Sequence, residues 1–206
     1  MILHSVRQSC PTGKPDATLV LLHGLGADEM DLMELGPYLG DRYDIVSVQG
    51  PNPYGPGYSW FDIDFSIEDT TSVQANCVQA HESLANLRET LSGLGGPIVL
   101  LGFSQGAMMA IGFWLEHGAL VDGVVSMSGG WLPCFKAAQP SSAPIFLSHG
   151  TMDPIVPIEF GRSSAERLRQ ISQSVSVLEY AGGHELTLEC VEAVSRWLAE
   201  VVPAPH

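Results

Sequence analysis

Basic side chains are scarce in this chain. Nine Lys and Arg stand against 23 Asp and Glu over 206 residues, a formal net charge of −14. Nucleic-acid binding rests on lysines and arginines that neutralise phosphates, so no nucleic-acid partner is expected. A polybasic cluster for an anionic lipid surface is missing too. Stable membrane insertion is not expected either, because no stretch nears about 18 uninterrupted apolar residues. Cysteine is sparse: Cys10, Cys77, Cys134 and Cys190 are scattered and form no CxxC pair. That spacing argues against a disulfide scaffold and against a metal site. The opening MILHSVRQSC has no basic region leading into an apolar one. No signal peptide is therefore expected, and a reducing, cytoplasmic setting fits.

Short apolar runs are abundant, most of them ended by glycine. ATLVLLHG (17–24) reads as a strand buried on both faces, and DIVSVQG (44–50), PIVLLG (97–102), DGVVSMSG (122–129), APIFLSHG (143–150) and VSVLEY (175–180) read as further strands. Segments 28–40, 66–92, 106–118, 158–171 and 185–202 carry apolar residues at helical spacing. The Pro- and Gly-rich stretch PNPYGPGYSWFDID (51–64) reads as a loop. Strands alternating with helices predict an α/β fold over a single domain, residues 1–206. Its sheet is mostly parallel, with helices on both faces and no large cap.

In such sheets, sites lie beyond the carboxyl ends of the strands. His23-Gly24-Leu25-Gly26 follows the first run, Gly102-Phe103-Ser104-Gln105-Gly106 the third, His149-Gly150-Thr151-Met152-Asp153 the fifth, and Gly182-Gly183-His184 the sixth. Ser, Asp and His thus occur in the chain order of the α/β-hydrolases, and GxSxG between strand and helix is their nucleophile elbow. Glycine and serine are common, so GxSxG alone is a weak signal; here an apolar strand precedes it and an apolar helix follows. The elbow needs small neighbours two residues either side of the nucleophile, and Gly102 and Gly106 supply them.

A serine hydroxyl needs a base to accept its proton and an acid to orient that base. Among the seven histidines, His184 sits on a glycine loop able to reach Ser104. His23 reads instead as a brace for the first glycine loop, and His149 as a structural histidine. Asp153 is the expected acid; Asp122 precedes its strand and belongs at the far edge of the sheet, and Glu185 adjoins His184 but points elsewhere. Two main-chain amides should hold the oxyanion, one from Gln105 and one from Leu25.

LLHGLGADEMDL, SWFDI, LGFSQGAMMA, SHGTMDPIVP and GGHE together resemble the phospholipase/carboxylesterase family of α/β-hydrolases, from about Leu19 to the final helix. The resemblance implies a Ser104, Asp153, His184 triad and an oxyanion hole of Leu25 and Gln105. It implies hydrolysis of carboxylic esters or thioesters without metal or cofactor, and often a homodimer. Its substrate region takes in Trp60, with Gly24, Met108 and Val156 as further expected substrate contacts. Trp60 in a Pro/Gly loop reads equally as a lid residue or a core anchor, and Met108 reads also as core. GPGYSW has no arginine before its tryptophan, where relatives often carry one, and the chain is compact. The expectation is a serine carboxylesterase for short- to medium-chain esters, small molecules, working through an acyl-enzyme. An acyl-protein thioesterase or lysophospholipase is the alternative. From another class, a non-catalytic ligand-binding protein on a hydrolase scaffold is disfavoured because all three triad positions are filled. GLGADEMD does not supply the GxGxxG of a dinucleotide-binding dehydrogenase.

Overall fold

ATLVLL is buried at all of its positions and lies inside a seven-stranded sheet. The computed structural model describes residues 1–64, 74–138 and 141–202. Its sheet strands are β1 (Ser5–Gln8), β2 (Ala17–Leu22), β3 (Tyr43–Val48), β4 (Ile98–Phe103), β5 (Gly123–Met127), β6 (Ile145–Gly150) and β7 (Val175–Tyr180). Their order across the sheet is β1, β3, β2, β4, β5, β6, β7. β1 runs antiparallel to β3, and every other neighbouring pair is parallel.

Alternate side chains of each strand enter opposite layers. Leu19, Leu21, Val99 and Leu101 pack with Leu39, Trp197 and Leu198 on one face. Val20, Leu22 and Leu100 pack with Leu84, Leu87, Phe113 and Leu168 on the other. The first face is covered by α1 (Gly36–Leu39) and α5 (Leu188–Val201); the second by α2 (Cys77–Leu91), α3 (Gln105–His117) and α4 (Ile158–Arg169). α3 is buried continuously from Gln105 to Leu115, as a helix apolar all round must be. The fold is the expected α/β architecture, a mostly parallel sheet between helical layers.

Several elements differ from the sequence reading. Segment 28–40 is not one helix: a 3₁₀ turn over Asp31–Leu35 gives way to the single turn of α1. The change falls at Gly36-Pro37, where proline has no N–H to continue the hydrogen-bond ladder, although Gly36 itself stays helical at φ −45° and ψ −50°. α2 starts at Cys77, where the Asn76 side chain accepts the Gln79 amide at 3.2 Å. Gln74–Ala75 instead pairs with Ile63–Asp64, and the remainder of the expected 66–92 helix, residues 66–73, lies outside the described residues. α5 starts at Leu188, capped by Thr187, so 185–187 is loop and Leu188 is exposed. The 51–64 loop contains a hairpin, Asn52–Tyr54 against Gly57–Ser59. β1, with the polar sequence SVRQ, carries no apolar run that would announce it.

The tightest packing lies where β4 turns into α3. A Cβ on Gly106 would collide with the carbonyl oxygens of Leu22 and His23, and one on Gly102 with the carbonyl of Gly106. These obstacles are backbone and cannot rotate away. Gly106→Ala is therefore expected to cost about 3 kcal/mol or more, or to prevent folding. The shift of the urea unfolding midpoint, or the loss of soluble protein, measures it.

Candidate active site

Ser104 sits in the turn between β4 and α3 with φ 54° and ψ −114°, a conformation that non-glycine residues rarely adopt. Its amide donates to the Met127 carbonyl at 2.8 Å and its carbonyl accepts the Met108 amide at 3.1 Å, which ties the strained residue to β5 and to α3. The residue is only 6% exposed. A Cβ built on Gly24 would lie 3.5 Å from the Ser104 Cβ, so the first glycine loop runs directly beside the hydroxyl-bearing side chain.

Asp153 follows β6. Its Oδ1 accepts the amides of Ile155 and Val156, each at 2.9 Å, within the turn that Pro154 begins. Its Oδ2 accepts the Nδ1–H of His184 at 2.7 Å. A fully buried carboxylate is costly unless hydrogen-bonded, and these three donors answer that cost. The Nε2 of His184 lies 2.9 Å from Ser104 Oγ. Ser104, His184 and Asp153, which are 80 and 31 residues apart along the chain in successive pairs, thus form one line of hydrogen bonds at the carboxyl edge of the sheet.

The loops that carry this line are tied to each other. Thr151 donates to the Tyr180 carbonyl and Met152 to the Gly182 carbonyl, both at 2.9 Å. A Cβ on Gly150 would collide with the main chain of Gly182 and Gly183. The Tyr180 hydroxyl donates to the Glu185 carbonyl at 2.5 Å and closes the His184 loop from below. Before folding, this clasp shows only as an aromatic at the end of a strand. Phe103 packs on the His184 ring at 5.0 Å between centroids.

His149 is a structural histidine that also touches the site. Its Nε2 donates to the Val156 carbonyl at 2.8 Å and lies 3.5 Å from Asp153 Oδ2. His23 braces the first glycine loop: Nδ1 donates to the Gly24 carbonyl at 2.7 Å and Nε2 accepts the Gly50 amide at 2.9 Å. Burial pushes the pKa of both imidazoles below its ordinary value. Asp122 caps the opposite edge, accepting the Ile98 amide at 2.8 Å. Glu185 turns away from the line; its Oε1 accepts the Gly183 amide at 3.3 Å.

Neither the Leu25 amide nor the Gln105 amide donates to another described residue, which leaves both available beside Ser104. Three expected substrate contacts are placed differently. Trp60 and Met108 have no exposed surface and Val156 has 1%. Trp60 is held by its indole N–H on the His23 carbonyl at 3.0 Å, so of the two readings left open it is the core anchor. Met108, on α3, lies in the same core cluster as Trp60, and so does Val156 from the turn after β6. What Val156 contributes to the line is its amide, donated to Asp153.

Comparison with known proteins then decides the family. A profile of the phospholipase/carboxylesterase family matches residues 5–202. The chain belongs to this family. Among its relatives, the putative hydrolase MhqD of Bacillus subtilis is 25% identical, over 92% of this chain and 96% of that protein. Acyl-protein thioesterase 1 of Neurospora crassa is 26% identical, over 91% of this chain and 87% of the other. The crystal structure of esterase PE8 superposes with a TM-score of 0.82 at 26% identity, covering 98% and 100% of the two chains. This family member therefore has the α/β-hydrolase fold and is an enzyme of the serine ester-hydrolase class.

The buried histidines make stability depend on pH. A folded-state pKa below the unfolded value means that the unfolded chain binds more protons once pH falls below the unfolded pKa, about 6.5. The contribution is present above that pH and is lost below it. Wild type is therefore expected to lose stability between pH 7.5 and 5.5 relative to His149→Gln, which removes one such group. Paired urea midpoints at the two pH values test this; an unchanged difference would contradict it.

Proposed function

We propose that the chain is a serine carboxylesterase for short- to medium-chain esters, with Ser104 as nucleophile, His184 as base and Asp153 as the acid that orients it. The observation that carries the reading is the continuous line from Ser104 Oγ through His184 to the buried Asp153 carboxylate, at 2.9 and 2.7 Å. Asp153 fixes the tautomer by taking the Nδ1–H, which leaves Nε2 free to accept a proton. As Ser104 Oγ attacks the ester carbon, its proton passes to Nε2. The tetrahedral oxyanion is held by the amides of Leu25 and Gln105, and the N-terminal end of α3 adds its dipole. The imidazolium next gives its proton to the departing alkoxide, which leaves as alcohol. Water, deprotonated by the same imidazole, attacks the acyl-serine. Release of the acid restores the hydroxyl.

The chain-length reading is supported by the packing under the nucleophile. Ala107, Met108 and Met109 are fully buried, and Trp60 fills the space beside them. Apolar groups that remain exposed beside Asp153, Met152 and Ile155, offer a shallow rim for a short acyl or alkyl group. No described helix is long and apolar enough to cross a membrane, and all four cysteines are free. That thiol state suits the cytoplasm proposed for it.

Ser104→Ala is expected to lower kcat by more than about 10⁴-fold while leaving the urea midpoint near wild type. Near-wild-type turnover in that variant would refute the nucleophile. An imidazole base works only when unprotonated, so kcat/KM should climb through the neutral range, and a flat profile would count against it. p-Nitrophenyl acetate and butyrate should be turned over faster than the palmitate. A strong palmitate preference would move the assignment to a long-chain thioesterase or lysophospholipase.

A further inference from the structure

We infer that Gln105, Trp60 and His23 form a buried brace that fixes the two oxyanion amides relative to each other. This rests on the esterase reading above and assigns a positioning role to three side chains. The Gln105 side chain is 1% exposed and spends its polar atoms on one neighbouring segment. Its Oε1 accepts the Trp60 amide at 2.8 Å and its Nε2 donates to the Phe61 carbonyl at 2.7 Å. The residue whose own amide is one oxyanion donor thereby grips residues 60 and 61 with two hydrogen bonds.

From there the connection runs to the second donor. The Trp60 indole N–H donates to the His23 carbonyl at 3.0 Å. His23 Nδ1 donates in turn to the Gly24 carbonyl at 2.7 Å. That carbonyl belongs to the same peptide unit as the Leu25 amide. A peptide unit is planar and trans, so holding its C=O holds its N–H, aimed the opposite way. The ring of His23 cannot turn freely, because its Nε2 accepts the Gly50 amide at 2.9 Å and the ring packs on Trp60 at 5.4 Å between centroids. His23 and Trp60 have no exposed surface, so water does not compete for these bonds. Both His23 bonds need the neutral imidazole that burial favours.

The functional meaning follows from timing. Donors stabilise a developing oxyanion only if they are aimed at it beforehand, without reorganising at the moment of reaction. Glycines around Leu25 would otherwise let that peptide rotate. The brace removes this freedom from within the core and leaves the surface open to substrate.

The test compares wild type with Gln105→Met, which keeps volume but loses both side-chain bonds, and Trp60→Phe, which keeps an aromatic ring but loses the indole donor. Each is assayed for kcat and KM on p-nitrophenyl butyrate, for inhibition by a butyl boronic acid that forms a tetrahedral adduct on serine, and for urea midpoint. Misaiming a donor should cost less than the ~10²–10³ of removing one. In Gln105→Met, kcat is expected to fall roughly 10–100-fold with KM within about twofold, and boronate affinity to fall with kcat/KM. Trp60→Phe should shift both in the same direction by less, and the double variant should lose less than the product of the two. Folded variants with wild-type kcat and boronate affinity would overturn the brace. So would a fall in kcat that leaves boronate binding untouched. Should Gln105→Met not fold, the same two outcomes in Trp60→Phe decide. If wild type itself hydrolyses no ester, or Ser104→Ala remains active, the esterase reading fails rather than the brace.

Discussion

Everything at the carboxyl edge of this sheet depends on main chain touching main chain where β4 becomes α3. Gly106 lies against the carbonyls of Leu22 and His23, and Gly102 against the carbonyl of Gly106. Only hydrogen fits at those two positions. Because the helix can come this close, it begins immediately beneath Ser104 and holds that residue at φ 54°. The strain is sustained by an apolar helix buried along eleven consecutive residues, from Gln105 to Leu115. Local distortion of this kind persists only where its surroundings over-determine it.

The second requirement is electrostatic. Asp153 presents a fully buried carboxylate side chain, and an unpaired charge there would be too costly to keep. Two amides of its own turn and the His184 imidazole answer it, with His149 close by. The same bonds that make burial tolerable also orient the imidazole toward Ser104. Stability of the turn and aim of the base are one arrangement rather than two. The loops bearing Asp153 and His184 are further joined by main-chain hydrogen bonds from Thr151 and Met152, so neither moves without the other.

The central strands were legible in the sequence because burial on both faces leaves uninterrupted apolar runs, as in ATLVLL and IVLLGF. The positions of Ser104, Asp153 and His184 were legible because each follows a strand, the first two after buried apolar runs and His184 after the half-exposed edge strand VSVLEY, and parallel strands bring their ends to one edge. Other features left no comparable trace. β1 is a polar edge strand whose pairing to β3 is decided by tertiary contact. The helical spacing of Met30, Leu32 and Met33 could not reveal that the segment would be a 3₁₀ turn followed by a single α turn at Gly36-Pro37. Val78 fits a helical pattern yet faces solvent, since the buried stripe of α2 runs through Ala80, Leu84, Leu87 and Leu91. Trp60 and Met108 were expected at the substrate and are core; an apolar residue near a site in sequence says nothing of whether it faces outward. The side-chain bonds of Gln105 were invisible for a similar reason: its partners are backbone groups, which every sequence contains.

The burial of Trp60 bears on how rigid the segment beside Ser104 is. A tryptophan fixed at its indole nitrogen, its amide and its carbonyl, the last bonded by Ser83 Oγ at 2.5 Å, gives the stretch around it no hinge. The main chain beside Ser104 is therefore held from the core side, by a ring and two backbone groups that water does not reach.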